Sequence, residues 1–248
     1  MATVSLLRIH PIKGLPPADV SEVSILPSGA LALDRQWALV DARGRFVNGK
    51  NVADIHVLRA EFDVVAGEVS LDDRAFSLAR QGSEIAAWCG ERLGQSLTWA
   101  ENTETGFPDD LDASGPTFVS AASMAAVADW FGLDVEATRR RFRANIELDG
   151  VAPFWEDGLY GGVLRIGDVQ IQAINPCQRC VVPSRDARSG DVIAGFQKRF
   201  AEQRLRHFPP GTPTALFNHY YRFTVNTRIA PSEAGKVIRV GDAVGAHL

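Results

Sequence analysis

The chain has 248 residues, of which 46% are hydrophobic and 23% charged, a composition typical of a globular protein with its own core. A formal net charge of −4 gives no electrostatic reason to expect nucleic acid or an anionic membrane as a partner. The N-terminus lacks a signal-peptide pattern, and no apolar run approaches the ~20 residues of a membrane span. Because three cysteines disfavour a disulfide scaffold, we expect a cytoplasmic protein.

The first hundred residues predict short strands separated by turns. Alternating or apolar-rich strand patterns occur in VSLLRIHPI, SEVSILPSG and AEFDVVAGEVSLDDRAFSLA. The stretch RQWALVDARGRFVNG predicts a hairpin with its turn at residues 41–44. Strands this short indicate a barrel or sandwich rather than βαβ units.

Three helices are predicted next. The first is SEIAAWCGERLG, for which Ser83 is the expected cap; the second is SAASMAAVADWFGL, ending at Gly132; the third, DVEATRRRFRANI, opens at Asp134. The aperiodic stretch ENTETGFPDDLDASGP between the first two is the best boundary candidate. The chain then returns to strand patterns, and the similar stretches VLRIGD and VIRVGD both predict hairpin turns.

The stretch NPCQRCVVPS contains Cys177 and Cys180 and has three chemical interpretations. A zinc site lacks a second local ligand pair, and a thioredoxin-like dithiol lacks the helix that should follow it. A single reactive or metal-bound thiolate is favoured by the adjacent Arg179, but two small buried thiols explain the pair equally well. The adjacent Glu156 and Asp157 are a poor acid/base pair, because a strand would direct them to opposite faces.

Several polar residues recur at turns rather than on helix faces. Lys13 precedes Gly14 after a strand, Arg35 begins another, and Arg143 and Asn145 lie at a predicted helix end. Arginine, lysine and asparagine are the side chains that bind phosphate oxygens and ring amides. Taken singly, each position is explained as well by a surface salt bridge.

Six stretches together resemble the MOSC family, the molybdenum cofactor sulfurase C-terminal domain, and most closely its branch with the mitochondrial amidoxime-reducing component. In chain order they are IHPIKGL, DRQWALVDARGRF, GPTFVSAASM, FRANIELDGVAPFWED, NPCQRCVVPSRDARSG and VIRVGDAV. The chain departs from the family pattern at His10, where Tyr is usual, at Gly14, where Ser is usual, and at Pro183–Ser184, where two threonines are usual.

The resemblance implies a mainly β fold with a few helices. Residues 1–110 would form an N-terminal β-barrel-like domain and residues 111–248 a MOSC β-barrel. A molybdenum cofactor (molybdopterin with molybdenum) would bind between them, with Cys180 as the catalytic metal ligand. The resemblance assigns the remaining cofactor contacts to Lys13, Gly14, Arg35, Arg143, Asn145, Gln178 and Arg179.

The implied function is an oxidoreductase that reduces small N-hydroxylated compounds. Because the chain ends without further cysteines, electrons would come from a separate iron–sulfur, flavin or haem carrier. Two alternatives stay open: a sulfur-transfer protein with a persulfide on Cys180, and a non-catalytic cofactor carrier. Neither nucleic acid nor a membrane is an expected partner.

Overall fold

The computed structural model describes residues 1–247 and contains four α-helices in that range. The helices are α1 (Gly82–Leu93), α2 (Ala121–Phe131), α3 (Val135–Phe142) and α4 (Phe196–Arg206). None of these described helices is long and apolar enough to cross a membrane.

Fifteen strands account for most of the remaining regular structure in the described residues. They are β1 (Ala2–Ile9), β2 (Ala18–Val20), β3 (Glu22–Ser24), β4 (Trp37–Asp41), β5 (Ala60–Asp63), β6 (Glu68–Leu71), β7 (Arg74–Ser77), β8 (Leu97–Glu101), β9 (Phe118–Ser120), β10 (Ile146–Asp149), β11 (Val163–Ile166), β12 (Val169–Gln178), β13 (Arg222–Arg228), β14 (Val237–Arg239) and β15 (Ala243–His247). The predicted β-rich class with a few helices is confirmed.

Seven strands close into a barrel. Their order is β10, β9, β13, β12, β11, β15 and β1, and β1 pairs again with β10. Leu7, Phe118, Ile171 and Val225 are fully buried in the core of this barrel. Because β1 comes from the start of the chain, the N-terminal strand completes a barrel built mainly from residues after 117. The linear boundary at residue 110 therefore stays a prediction.

The rest of the N-terminal part forms smaller sheets with a separate core. Strands β4 and β8 pair. The stretch AEFDVVAGEVSLDDRAFSLA, which has a strand pattern in the sequence, forms the antiparallel sheet of β5, β6 and β7. Helix α1 packs Ile85 and Trp88 into the core that contains Trp37 and Leu71. The turn after β4 lies where it was predicted, since Asp41 N donates to Arg45 O at 2.9 Å.

Helices α2 and α3 have the predicted ends. The Ser120 hydroxyl accepts from Ser123 N at the start of α2, and Gly132 ends it in the left-handed region. The Asp134 carboxylate accepts from Ala137 N at the start of α3. Both helices pack with α4 around an aromatic core that includes Phe200.

Two local predictions were wrong. Helix α1 begins at Gly82 with Gln81 before it, so Ser83 lies inside the first turn and does not cap it; the Gln81 side chain instead accepts from Ser77 N at 2.9 Å. The stretch VIRVGD is not a hairpin, because β14 pairs with β3 whereas β15 pairs with β11 and β1. By contrast, VLRIGD does turn β11 back onto β12.

Candidate functional site

A cavity of about 1060 Å³ lies between the N-terminal part of the chain and the barrel. Its walls are formed by residues 13–58 on one side and by residues 105–226 on the other. This volume is at the upper end of the ~300–1,000 Å³ typical of small-molecule and cofactor sites. The predicted site residues that reach it are Lys13, Gly14, Arg35, Arg143, Gln178, Arg179 and Cys180.

The cavity walls are strongly basic. Eight Lys and Arg side chains and three Asp side chains line it, a formal surplus of five positive charges in a chain whose net charge is −4. Charges of one sign concentrated in a concave site raise the local concentration of counter-ions and favour an anionic ligand. The cavity therefore has the electrostatics of an anion site.

Arg35 and Arg143 reach the cavity from strained backbone positions. Their φ angles are +53° and +55°, in the left-handed region where a residue with a side chain costs roughly 1–2 kcal/mol. Arg143 follows the last residue of α3, and its amide donates to Arg139 O at 2.8 Å to close that helix. Strain of this kind persists where a site fixes the direction of a side chain.

The two arginines differ in their charge partners. The Arg35 guanidinium contacts the Asp34 carboxylate, and this cation helps hold the pKa of Asp34 well below its usual range against the opposing effect of burial. Among residues 1–247, no carboxylate pairs with Arg143. Burial and then the nearby Arg35 charge lower the pKa of Arg143 to about 9, and the charges of Asp34 and Asp109 oppose that shift, so Arg143 is a cation at neutral pH.

Lys13 is buried at the same wall as Arg35 and already has an anionic partner. Its Nζ donates to Asp109 Oδ1 at 2.6 Å and to Phe107 O at 2.8 Å. The next residue, Gly14, has φ +90°, and a Cβ there would lie 2.8 Å from Ile55 Cδ1 and 3.0 Å from Val47 O. The serine usual at this position in the resembling family would therefore need the Ile55 side chain to move and would adopt a strained backbone conformation here.

The thiol wall comes from the end of β12. Arg179 donates from Nη1 to Cys177 Sγ at 3.2 Å and from Nη2 to Phe142 O at 2.6 Å, while its buried Nε has no protein partner. Tyr221 Oη donates to Cys180 O at 3.0 Å and so fixes the backbone at the predicted metal ligand. Both thiols are free and half-buried.

The zinc and dithiol interpretations find no support in the described residues. No group of three His, Cys, Asp or Glu side chains in that part of the chain is placed to hold a metal ion. The residues after Cys180 form a single 3-10 turn at Val182–Ser184 rather than the α-helix that activates a thioredoxin-like thiol.

Asn145 does not reach the cavity. Its Oδ1 accepts from Thr117 N at 3.1 Å and its Nδ2 donates to Arg8 O at 3.1 Å, so its amide joins β1 to the loop before β9. With both ends of the amide bonded and 1% of the residue exposed, its role in this structure is to hold the wall that carries Arg143.

Sequence reasoning missed several lining residues. No motif in their stretches marks the lining residues Lys50, His56 and Asp109, and Arg141 was not assigned to the site either. The buried Nε2 of His56 has no partner among the described residues, and burial and then the Arg143 charge lower the pKa of its imidazole. The run of arginines at the end of α3 was the one signal that pointed to Arg141.

The strain at Arg143 leads to a stability prediction. Arg143→Gly is expected to unfold with a free energy about 1 kcal/mol larger than Arg143→Ala, because glycine adopts φ +55° without steric cost. Both variants are expected to bind inorganic phosphate about tenfold or more weakly than the wild type, since both remove the same cation. Urea denaturation and calorimetric titration measure the two effects; phosphate binding by the glycine variant at the wild-type level would contradict the anion-site assignment.

The cavity residues can be compared with the needs of an anionic pterin that carries a metal. Within residues 1–247, Arg141 and Arg179 have buried Nε atoms without hydrogen-bond partners, and Arg143 forms no ion pair. A phosphate supplies acceptors for such groups, and a free cysteine thiol in the same cavity is a soft ligand. The residues present therefore fit such a group.

Comparison with known proteins gives the family. A model of the MOSC N-terminal β-barrel domain matches residues 1–87, and a model of the MOSC domain matches residues 114–245. The molybdenum cofactor sulfurases of Drosophila grimshawi and Danio rerio are 26% and 25% identical over 74% and 75% of the chain. The chain spans only 28% of the length of each.

One solved structure matches over the whole length at low identity. The YuaD protein of Bacillus subtilis covers 100% of this chain and 96% of its own, at 10% identity and a TM-score of 0.43. The two family models together cover most of the chain, and residues 88–113, which include the cavity loop at residues 105–113, lie between them. The chain belongs to the MOSC family.

Proposed function

We propose that the cavity binds the molybdenum cofactor and that the protein reduces small N-hydroxylated compounds. The observation that carries the proposal is the combination, in one cavity, of a surplus of cations and the Cys180 thiol. Lys13, Arg35 and Arg143 would bind the phosphate and the pterin, and Cys180 would ligate the metal as a thiolate. When bound, the cofactor supplies the two-electron redox chemistry, which no side chain provides.

The chain's own residues bind and orient in this proposal. Arg179, fixed by its bonds to Phe142 O and Cys177 Sγ, would hold the positive charge of its guanidinium at the cavity wall beside Cys180. The overall reaction consumes two electrons and two protons and converts each N–OH group into N–H and water. A separate iron–sulfur, flavin or haem carrier would supply the electrons.

A reduction assay tests this activity. Protein from a host that makes the cofactor would be mixed with benzamidoxime or 6-hydroxylaminopurine and a chemical electron donor, and formation of the amidine or amine would be followed. Turnover is expected for the wild type and not for Cys180→Ala, because loss of the thiolate removes the proposed metal ligand. Cofactor-loaded wild-type protein that turns over neither compound would contradict the reductase assignment.

A second candidate function is sulfur transfer, and one observation favours it: the curated relatives are named molybdenum cofactor sulfurase. In that case Cys180 would carry a persulfide, whose terminal sulfur leaves to an acceptor while the thiolate is regenerated. Cyanide would then release thiocyanate from wild-type protein after incubation with a persulfide donor, and Cys180→Ser would release none. The reductase proposal predicts substrate turnover without any cyanide-labile sulfur.

A further inference from the structure

The Lys13 ammonium, which the proposed function assigns to an anionic ligand, is occupied by the protein itself. Asp109 Oδ1 accepts from Lys13 Nζ at 2.6 Å, and Asp109 Oδ2 lies 3.4 Å from Lys50 Nζ. The Lys13 side chain is 7% exposed whereas that of Asp109 is 57% exposed. The carboxylate thus lies on the solvent side of a buried cation that lines the same cavity, and it occupies that cation as an anionic partner.

Asp109 is an anion throughout the neutral range. Burial raises the pKa of its carboxyl, but the charges of Lys13, Lys50 and Arg35 and the hydrogen bond from Lys13 hold that pKa well below its usual range. Burial lowers the pKa of Lys13, and the Asp109 charge opposes that shift. The carboxylate therefore has the position and charge that a ligand phosphate oxygen would need at this wall.

The Asp109 side chain can move although the loop at residues 105–113 is anchored on both sides of it. Phe107 N donates to Arg35 O at 2.9 Å, and Ala113 is buried. Between these anchors the Asp109 side chain is 57% exposed. Because exposed side chains change rotamer rapidly, the carboxylate can leave Lys13 while the loop stays attached.

We propose that Asp109 is a built-in counter-anion that occupies the Lys13 end of the cavity and leaves it when an external phosphate group binds. The identity of the natural ligand rests on the proposed function; the competition itself does not. Because only the open state offers Lys13 to a ligand, the apparent affinity for phosphate is reduced by the fraction of molecules in that state. Asp109 thereby sets the affinity of the cavity for anions.

Titration of the apoprotein with inorganic phosphate near neutral pH tests the competition. Asp109→Asn is expected to bind phosphate about threefold to thirtyfold more tightly than the wild type, since an amide competes poorly for an ammonium. Asp110→Asn is the matched control, because it removes an equal charge from the next lining residue and keeps an oxygen for the N–H groups of Asp112 and Ala113. It gives up only the 3.4 Å bond from Asn226, whose amide keeps its 3.1 Å bond to Asn175. It is expected to change the affinity by less than about twofold.

Two results would overturn the proposal. If Asp109→Asn binds phosphate as tightly as the wild type or more weakly, the carboxylate does not compete. If Asp109→Asn and Asp110→Asn gain the same affinity, the gain comes only from the change in net charge of the cavity. Lys13→Met added to Asp109→Asn is expected to abolish the gain, and a gain that survives that change also contradicts the proposal.

Hydrogen exchange reports the displacement directly. Phosphate is expected to speed amide exchange in residues 107–113 of the wild type, because Asp109 loses its anchor when the ligand takes Lys13. Unchanged or slower exchange at saturating phosphate would contradict the model. Failure of the cofactor assignment is a separate result. If the protein contains no molybdenum but Asp109→Asn still binds phosphate more tightly, the counter-anion role of Asp109 is supported and only the identity of the natural ligand is wrong.

Discussion

An Asp157→Ala variant is expected to lose about 3–5 kcal/mol of the free energy of unfolding. Asp157 and Arg204 form an ion pair in which the side chains are 3% and 2% exposed, and Tyr160 Oη also donates to Asp157 Oδ1 at 2.8 Å. Arg204 Nε and Nη1 have no hydrogen-bond partner within residues 1–247, so removal of the Asp157 carboxylate leaves a buried cation unpaired against the rings of Phe154 and Phe208. Urea denaturation near neutral pH measures the loss.

The matched control removes both charges. The double variant Asp157→Ala with Arg204→Met is expected to be more stable than Asp157→Ala alone, because no buried charge is left unpaired. A double variant that is less stable by the sum of the two single effects would contradict a coupled pair. Since neither side chain lines the cavity, phosphate binding by a folded double variant is expected at the wild-type level.

Acid is expected to destabilise the wild type more than a His10→Phe variant, by about 2 kcal/mol between about pH 7.5 and about pH 5. His10 is completely buried, its Nδ1 lies 3.5 Å from Asp34 Oδ1, and neither ring nitrogen has a well-formed hydrogen bond within residues 1–247. Burial and then the Arg143 charge lower the pKa of its imidazole to about 3. The unfolded chain therefore takes up a proton below about pH 6.5 while the native state stays neutral, and stability falls as the pH falls toward 3.

The quantity that isolates this pH effect is the difference between the two proteins in the slope of unfolding free energy against pH, not the free energy of either protein at one pH. Carboxylates titrate in both proteins, so only the divergence between the two curves reports His10. Parallel curves from about pH 7.5 to about pH 5 would show that the imidazole protonates equally in both states. His10→Phe can be more or less stable at neutral pH without affecting this comparison.

Local sequence signals predicted much of the secondary structure. Asp134 and Gly132 bound helices where capping rules place them, and the Gly167 turn joins β11 to β12. Helix α4 was missed because Gly195, the residue before its first residue Phe196, has no side chain that could cap it. The start of this helix therefore has no capping signal in the sequence. The closure of the barrel by β1 was also invisible, since pairing between strands more than a hundred residues apart leaves no local pattern.

The residues of the candidate site likewise divide into those that a local motif marks and those that no local pattern marks. Residues that a motif marks, such as Arg35 and Cys180, do line one cavity, although the ligand roles assigned to them stay predictions. Asp109 was invisible because its partner Lys13 lies 96 residues away and its own stretch has no periodicity. Asp157 was judged on strand geometry, but Trp155–Leu159 is a 3-10 turn that buries the carboxylate against Arg204, which is 47 residues away.

The measurement that tests the central claim most directly is the molybdenum and pterin content of the purified protein. Wild type and Cys180→Ala would be made in the same host that synthesises the cofactor and analysed side by side. The wild type is expected to contain molybdenum and pterin in similar amounts. Cys180→Ala is expected to retain pterin through the cations of the cavity and to lose most of the metal. Equal molybdenum in both would refute the ligand assignment, and wild-type protein without molybdenum or pterin would contradict the account.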